Sequence, residues 1–224
     1  MRKICLLFIL FVATISQAAT IYVKPASFGG DDTSGDGTSW ATAYATPIKA
    51  FSMTTASDDV IAIMQGTYNL DTHFDNATNP NIQVLGGYTG TADERVIDPA
   101  NTVFEYSGSA AVRVLGTFGT GLIFSGITFQ NLQPAASQYG IFVNIGTANV
   151  TLTLEDCVVK NFVNKAGAYV RGIIRFNTTA TVNINRCQFI SCEEKSTANY
   201  NAVISRNGGN ATVNISNSII KGTA

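Results

Sequence analysis

From residue 120 onward, apolar and polar positions recur at a fixed spacing. Four segments superimpose: 120–132 (TGLIFSGITFQNL), 150–162 (VTLTLEDCVVKNF), 180–192 (ATVNINRCQFISC) and 211–223 (ATVNISNSIIKGT). Leu122, Leu152, Val182 and Val213 fill one column, and Phe124, Leu154, Ile184 and Ile215 the next. Ile127, Cys157, Cys187 and Ser218 follow, then Phe129, Val159, Phe189 and Ile220. The offsets are 30, 30 and 31 residues.

Inside each copy the alternation has a period of two, as in Val182-Asn183-Ile184-Asn185, which predicts a half-buried strand. Further short strands are expected at 111–115, 141–145, 173–176 and 202–205. Each unit of about 30 residues then holds three short strands and no helix. Strand columns that recur without a crossover helix fit a coil of three strands per turn. Successive turns stack about 4.8 Å apart and bury a common core. The expected fold is all-β, a parallel β-helix, with the right-handed form expected. A sandwich gives no reason for matched columns at this period, and a propeller blade needs about 40 residues. Stacking predicts ladders of Asn131 on Asn161 and Asn183 on Asn214, and places Asp156 beside Arg186.

The chain before the repeats has a different texture. Arg2 and Lys3 precede an apolar run from Ile4 to Ile15, and Ser16-Gln17-Ala18 supplies small residues, so residues 1–18 predict a cleaved secretory signal peptide. The apolar run is too short for the roughly 20 residues that span a bilayer. Residues 19–102 are expected to cap the stack and form its first coils, and 103–224 to form the remaining coils. In the cap, strands are expected at Ile21–Val23, Val60–Met64 and Ile82–Leu85. A helix is expected from Pro47 to about Met53, with Thr46 as N-cap and its apolar residues plugging the end of the stack. Acidic residues concentrate in 19–102, which holds 10 acids and 3 bases, against 5 acids and 9 bases in 103–224.

Composition sharpens this picture. The 26 Thr, 19 Asn and 20 Gly favour strands and turns over helices. A net charge of -1 argues against a nucleic-acid partner, which requires a basic surplus. Cys157, Cys187 and Cys192 remain after the leader is removed, an odd number without framework spacing. Buried thiols are the expectation, with a Cys157–Cys187 bridge as the alternative.

The order Ile21-Tyr22-Val23, Gly37-Thr38-Ser39-Trp40, the Pro47–Phe51 helix, Gly66-Thr67-Tyr68 and Gly86-Gly87-Tyr88 resembles secreted bacterial right-handed β-helix proteins of the pectate-lyase-like superfamily, of the polymorphic-outer-membrane and surface-protein type. Ser57-Asp58-Asp59 departs from that pattern at one turn, where the family usually has Gly-Asp. The resemblance implies the fold and exposure at the cell surface. Its members include lyases, hydrolases and proteins of unknown activity.

Candidate chemistry is sparse. A hydrolase of this fold needs two or three carboxylates flanking the scissile bond. The outward columns Ser125/Glu155/Asn185/Ser216 and Ile123/Thr153/Asn183/Asn214 supply one acid. Glu193-Glu194 reads as solvated turn charge, and His73, the single histidine, lies in a polar loop. Arg171, Arg175 and Arg206 fall near another strand face and are the candidates for meeting an acidic sugar. Asp32, Ser34 and Asp36 space oxygens like the first half of a calcium loop, but position 43, where such a loop puts a bidentate Glu, is alanine. No cofactor is expected, with calcium at this half-site the alternative to a plain polar turn. The five Asn-x-Ser/Thr triplets, at Asn76, Asn149, Asn177, Asn210 and Asn214, follow from composition.

The expected function is non-catalytic, on the outside of the cell: adhesion, glycan contact or surface display. A polysaccharide lyase or glycoside hydrolase acting on acidic polysaccharide is the alternative. The expected partner is a polysaccharide or a host or neighbouring cell surface. The last repeat carries no closing helix, proline or charge cluster, so the chain is expected to be either a truncated gene product or one whose open edge admits end-to-end self-association.

Overall fold

The computed structural model describes residues 18–55, 59–70, 81–105, 121–131, 142–144, 149–163, 173–176, 179–193, 203–206 and 210–221. The residues expected to form the leader, apart from Ala18, and the strand expected at 111–115 lie outside this set. The described chain is mostly β, and its strands, numbered along the chain, form three parallel sheets. The seven-stranded sheet runs β1 (Thr20–Val23), β2 (Val60–Met64), β4 (Ile82–Tyr88), β6 (Gly121–Ser125), β9 (Val150–Glu155), β12 (Ala180–Asn185) and β15 (Ala211–Ser216). The six-stranded sheet runs β3 (Gly66–Asn69), β5 (Thr102–Glu105), β7 (Thr128–Gln130), β10 (Val158–Val163), β13 (Gln188–Glu193) and β16 (Ile219–Lys221). A three-stranded sheet holds β8 (Phe142–Asn144), β11 (Ile174–Phe176) and β14 (Ile204–Arg206).

The repeat columns are neighbours in the ladders. Leu122 pairs with Leu152, Leu152 with Val182 and Val182 with Val213. The column that begins with Phe124 runs beside it in the same register. In the second sheet Phe129 pairs with Val159, Val159 with Phe189 and Phe189 with Ile220. Strand order follows chain order, so each repeat visits the first sheet, the second and then the third before returning one rank further on.

The inward columns form one apolar core. Phe104, Phe124 and Phe129 pack edge to face, with ring centroids 5.6 Å apart for Phe104–Phe129 and 5.3 Å for Phe124–Phe129. Such pairs add about 0.5–1.5 kcal/mol to the area that they bury. The inward side chains of the last rank (Val213, Ile215 and Ile220) are exposed, because no described strand stacks on β15 and β16.

Two residues suffice to turn from the first sheet to the second, and their conformation repeats as strictly as the strands. The first corner residue is left-handed in every rank: Gly126 (φ 70°), Asp156 (52°), Arg186 (53°) and Asn217 (50°). Glycine tolerates this region freely and Asp or Asn at modest cost, whereas arginine is strained there. The second corner residue carries a backbone ladder, with Val158 N–H donating to Ile127 O (3.0 Å), Gln188 to Cys157 O (2.9 Å) and Ile219 to Cys187 O (2.9 Å). Cys157 and Cys187 are buried at this corner, and all three described cysteines are free thiols, so the alternative bridge is not formed.

Helix α1 (Pro47–Ser52) occupies the predicted position. Thr46 Oγ1 accepts from Lys49 N–H at 3.2 Å, which supplies the expected N-cap. Ala50 and Phe51 are buried, and the helix packs against β1 and β2. Among the described residues no helix is long and apolar enough to cross a membrane.

Candidate functional site

Among the described residues, the outward positions of the seven-stranded sheet form an ordered polar surface. Register carries one column through Gln83, Ile123, Thr153, Asn183 and Asn214, and the next through Leu85, Ser125, Glu155, Asn185 and Ser216. Stacked amides and hydroxyls satisfy one another along the columns. Asn214 Nδ2 donates to Asn183 Oδ1 (2.9 Å), and Asn183 Nδ2 donates to Thr153 Oγ1 (3.3 Å). Ser216 Oγ donates to Asn185 Oδ1 (3.0 Å), and Asn185 Nδ2 donates to Glu155 Oε1 (3.4 Å). A third ladder lies past the six-stranded sheet's β7, where Asn161 Nδ2 donates to Asn131 Oδ1 at 3.5 Å.

Arg186, Glu155 and Asp156 form one ion-paired group at the edge of this face. Arg186 donates through Nε to Asp156 Oδ1 (2.7 Å) and through Nη2 to Glu155 Oε1 (2.7 Å) and Asp156 Oδ2 (2.8 Å). The ion pair expected between Asp156 and Arg186 is thus present, and it also takes up Glu155, the acid of the outward columns. Both carboxylates raise the Arg186 pKa further above its ordinary value, Asp156 most. Two carboxylates bound to one guanidinium are poorly placed to act as an acid and a base.

Beyond β6 the repeat's 30-residue step is lost, because Ile82 and Leu122, which pair directly, lie 40 residues apart. The face nevertheless continues onto β4, and at this junction a groove of about 300 Å³ opens between Asn81, Gln83, Gly121, Ile123, Thr151 and Thr153. Nearby, Arg95 clasps the two strands from outside. Its Nε donates to Gly86 O (2.8 Å), and its Nη2 donates to Ser125 O (2.9 Å) and Ser125 Oγ (2.8 Å). At the β1 end, Trp40 packs against Tyr22 (centroids 4.8 Å apart) and Tyr88 (5.7 Å). Tyr22 donates to Asp93 Oδ1 at 3.3 Å, and burial first, then the Asp93 charge, raises its pKa.

The positions proposed from sequence are dispersed. Arg175, on β11, is 2% exposed, so that side chain is not offered to a ligand in solution. Arg171, the Arg206 side chain and His73 lie outside the described residues, although the backbone of Arg206 ends β14. Asp32, Ser34 and Asp36 serve separate hydrogen-bond sets. Asp32 accepts from Ala45 N–H (2.8 Å), Thr46 N–H (3.0 Å) and Thr46 Oγ1 (2.6 Å), which fixes the helix cap. Ser34 donates to the Asp31 carboxylate. Asp36 accepts from Thr38 N–H (2.9 Å), Thr38 Oγ1 (2.8 Å) and Thr42 Oγ1, and these donors, Thr42 first, hold its pKa down at about 2. Among the described residues no group of three or more His, Cys, Asp or Glu is placed to hold a metal ion.

Comparison with protein-family models, with curated proteins and with solved structures found no match for this chain.

Proposed function

We propose that this chain is an exported, non-catalytic right-handed parallel β-helix of the pectate-lyase-like type, exposed at the cell surface, whose outer faces contact glycans or another cell. The β-helix reading is supported by the path of the chain, which visits three parallel sheets in constant order and advances one rank per repeat. Export rests on the basic residues, apolar run and small residues of the first eighteen positions.

The observation that carries the functional reading is the outer face of the seven-stranded sheet. Its amides and hydroxyls are laddered across β9, β12 and β15, and its one cluster of charge is an internally paired Arg186–Glu155–Asp156 group. A surface of this kind offers many weak hydrogen bonds to a large partner and no activated nucleophile, acid or base.

The test has two arms. Incubation with pectin, alginate and polygalacturonate, followed by ultraviolet absorbance of unsaturated product, is expected to stay flat. A glycan array is expected to show retention without cleavage. Product formation, or the absence of retention on any glycan or cell surface, would overturn the reading.

A further inference from the structure

The groove at the β4–β6–β9 junction is floored by a glycine. The outward column that starts at Gly121 continues through Thr151, Thr181 and Thr212, so three ranks carry a threonine and the first carries none. A Cβ built on Gly121 would lie 2.5 Å from Asn81 Oδ1, too close to be tolerated without a shift. The backbone at Gly121 is not left-handed, so glycine is not required there by a turn. What the glycine provides is room for the Asn81 side chain, which leans across it and forms one wall of the groove.

The chemistry of the walls is uniform. Asn81 and Gln83 bring amides, Thr151 and Thr153 bring hydroxyls, and Ile123 supplies an aliphatic patch. None of these residues is ionisable. Amides and hydroxyls can both donate and accept. The volume of about 300 Å³ stands at the lower end of the range of small-molecule sites, roughly 300–1,000 Å³. An anion would find no counter-charge on these walls, and a purely apolar ligand would displace water from the Gln83 amide and the Thr151 hydroxyl without replacing its hydrogen bonds.

We infer that this groove is a binding subsite for a neutral, polyhydroxylated unit, namely one uncharged sugar of a larger glycan. The inference rests on the glycan-contact reading above and narrows it: the ligand class is uncharged, unlike the acidic polysaccharide that an arginine face would take. The amides at one rim and the hydroxyls at the other bridge the ring hydroxyls, while Ile123 lies under an apolar ring face. The open Asn/Thr ladder beyond β9 then carries neighbouring units of the same chain.

The test is calorimetric titration of the mature chain with cellohexaose, xylohexaose, mannohexaose and chitohexaose, with hexagalacturonate as the acidic counterpart. Thr153→Trp fills the groove from its rim. Gln188→Trp places the same bulk at an exposed position of β13, in the six-stranded sheet and away from the groove and its face. Gln83→Ala removes one amide without adding volume and guards against misfolding of the tryptophan variants. At least one uncharged hexasaccharide is expected to bind. Thr153→Trp should weaken it roughly tenfold or more, Gln83→Ala by several-fold, and Gln188→Trp by less than about twofold. Binding of a hexasaccharide that is indifferent to Thr153→Trp and Gln83→Ala, or binding of hexagalacturonate alone, overturns the subsite and leaves glycan contact standing. Binding of none of the five overturns the subsite, and the glycan-contact reading then falls only if the array and cell surfaces also show no retention.

Discussion

The column Phe129–Val159–Phe189–Ile220 allows the stacking account to be tested, because it holds one member covered on both sides and one covered on a single side. Phe189 has Val159 on one side and Ile220 on the other and is 0% exposed, whereas Ile220 is covered on one side and is 50% exposed. Phe189→Ala removes a fully buried ring and leaves a cavity between two ranks, a loss of about 3–5 kcal/mol. Full burial of an isoleucine is worth about 1.5–3 kcal/mol. Half of that is already forfeited at Ile220 and no closed cavity forms, so Ile220→Ala should cost about 1 kcal/mol. The assay is urea unfolding at low protein concentration, followed by far-ultraviolet circular dichroism, with the three chains compared in one buffer. Phe189→Ala should lower the midpoint strongly and Ile220→Ala slightly. Equal losses would mean that the two positions are equivalently surrounded, and the reasoning from stacked ranks would fail.

Three further outcomes follow from the described side chains. The Asp36 carboxyl is held at about 2, below its ordinary 3.8, so its anchoring of the Thr38–Thr42 turn is complete above about pH 4 and is lost as pH falls through about 2. Nuclear magnetic resonance of the Thr38 amide should show this titration in the wild type and not in Asp36→Asn, and an amide that is flat between pH 4 and 2 would contradict it. Arg186 combines a left-handed backbone with a bridge to two carboxylates, so Arg186→Ala should lower Tm more than Arg186→Gly, which loses the same ion pairs but relieves the strain. The gap between wild type and Arg186→Gly should narrow in high salt, and a gap indifferent to salt would count against the ion pairs. Burial pushes the Cys192 thiol up to about 11 and Cys157 well above its ordinary value. Aromatic disulfide reagents at pH 8 should therefore modify these thiols slowly until the chain is denatured, and rapid native-state labelling of either would contradict their burial.

Much of the repeat region was legible because stacking converts sequence period into spatial adjacency. The offsets of 30, 30 and 31 residues appear directly as ladder register, and the Asn131–Asn161, Asn183–Asn214 and Asp156–Arg186 contacts follow from them. The helix was legible from local signals, since Thr46-Pro47 carries cap and first-turn chemistry within two residues. The candidate site was less so. Gln83 joins the outward column after a 40-residue step, which hides it from a search for a 30-residue period, although the Ile82/Val84 alternation repeats that of Leu122/Phe124. The groove is floored by a glycine where the following ranks have threonine, and its Asn81 wall stands before the first strand of matching pattern. The Trp40 cluster depends on a loop returning to β1, which no local pattern specifies. At the calcium half-site, oxygen spacing along a loop does not determine which amides and hydroxyls the carboxylates will meet, and here Asp32 and Asp36 meet different ones.

The central claim is that successive repeats lie side by side in one continuous register from β4 to β15. Spin labels at Gln83 and Asn214, in a chain whose Cys157, Cys187 and Cys192 are replaced by alanine, measure it directly by pulsed dipolar spectroscopy. These positions are 131 residues apart in sequence and four ranks apart in the ladder. One narrow distance distribution near four strand spacings, roughly 19 Å, is the predicted result. A broad distribution, or one centred beyond roughly 30 Å, would contradict the shared register and the outer face built on it.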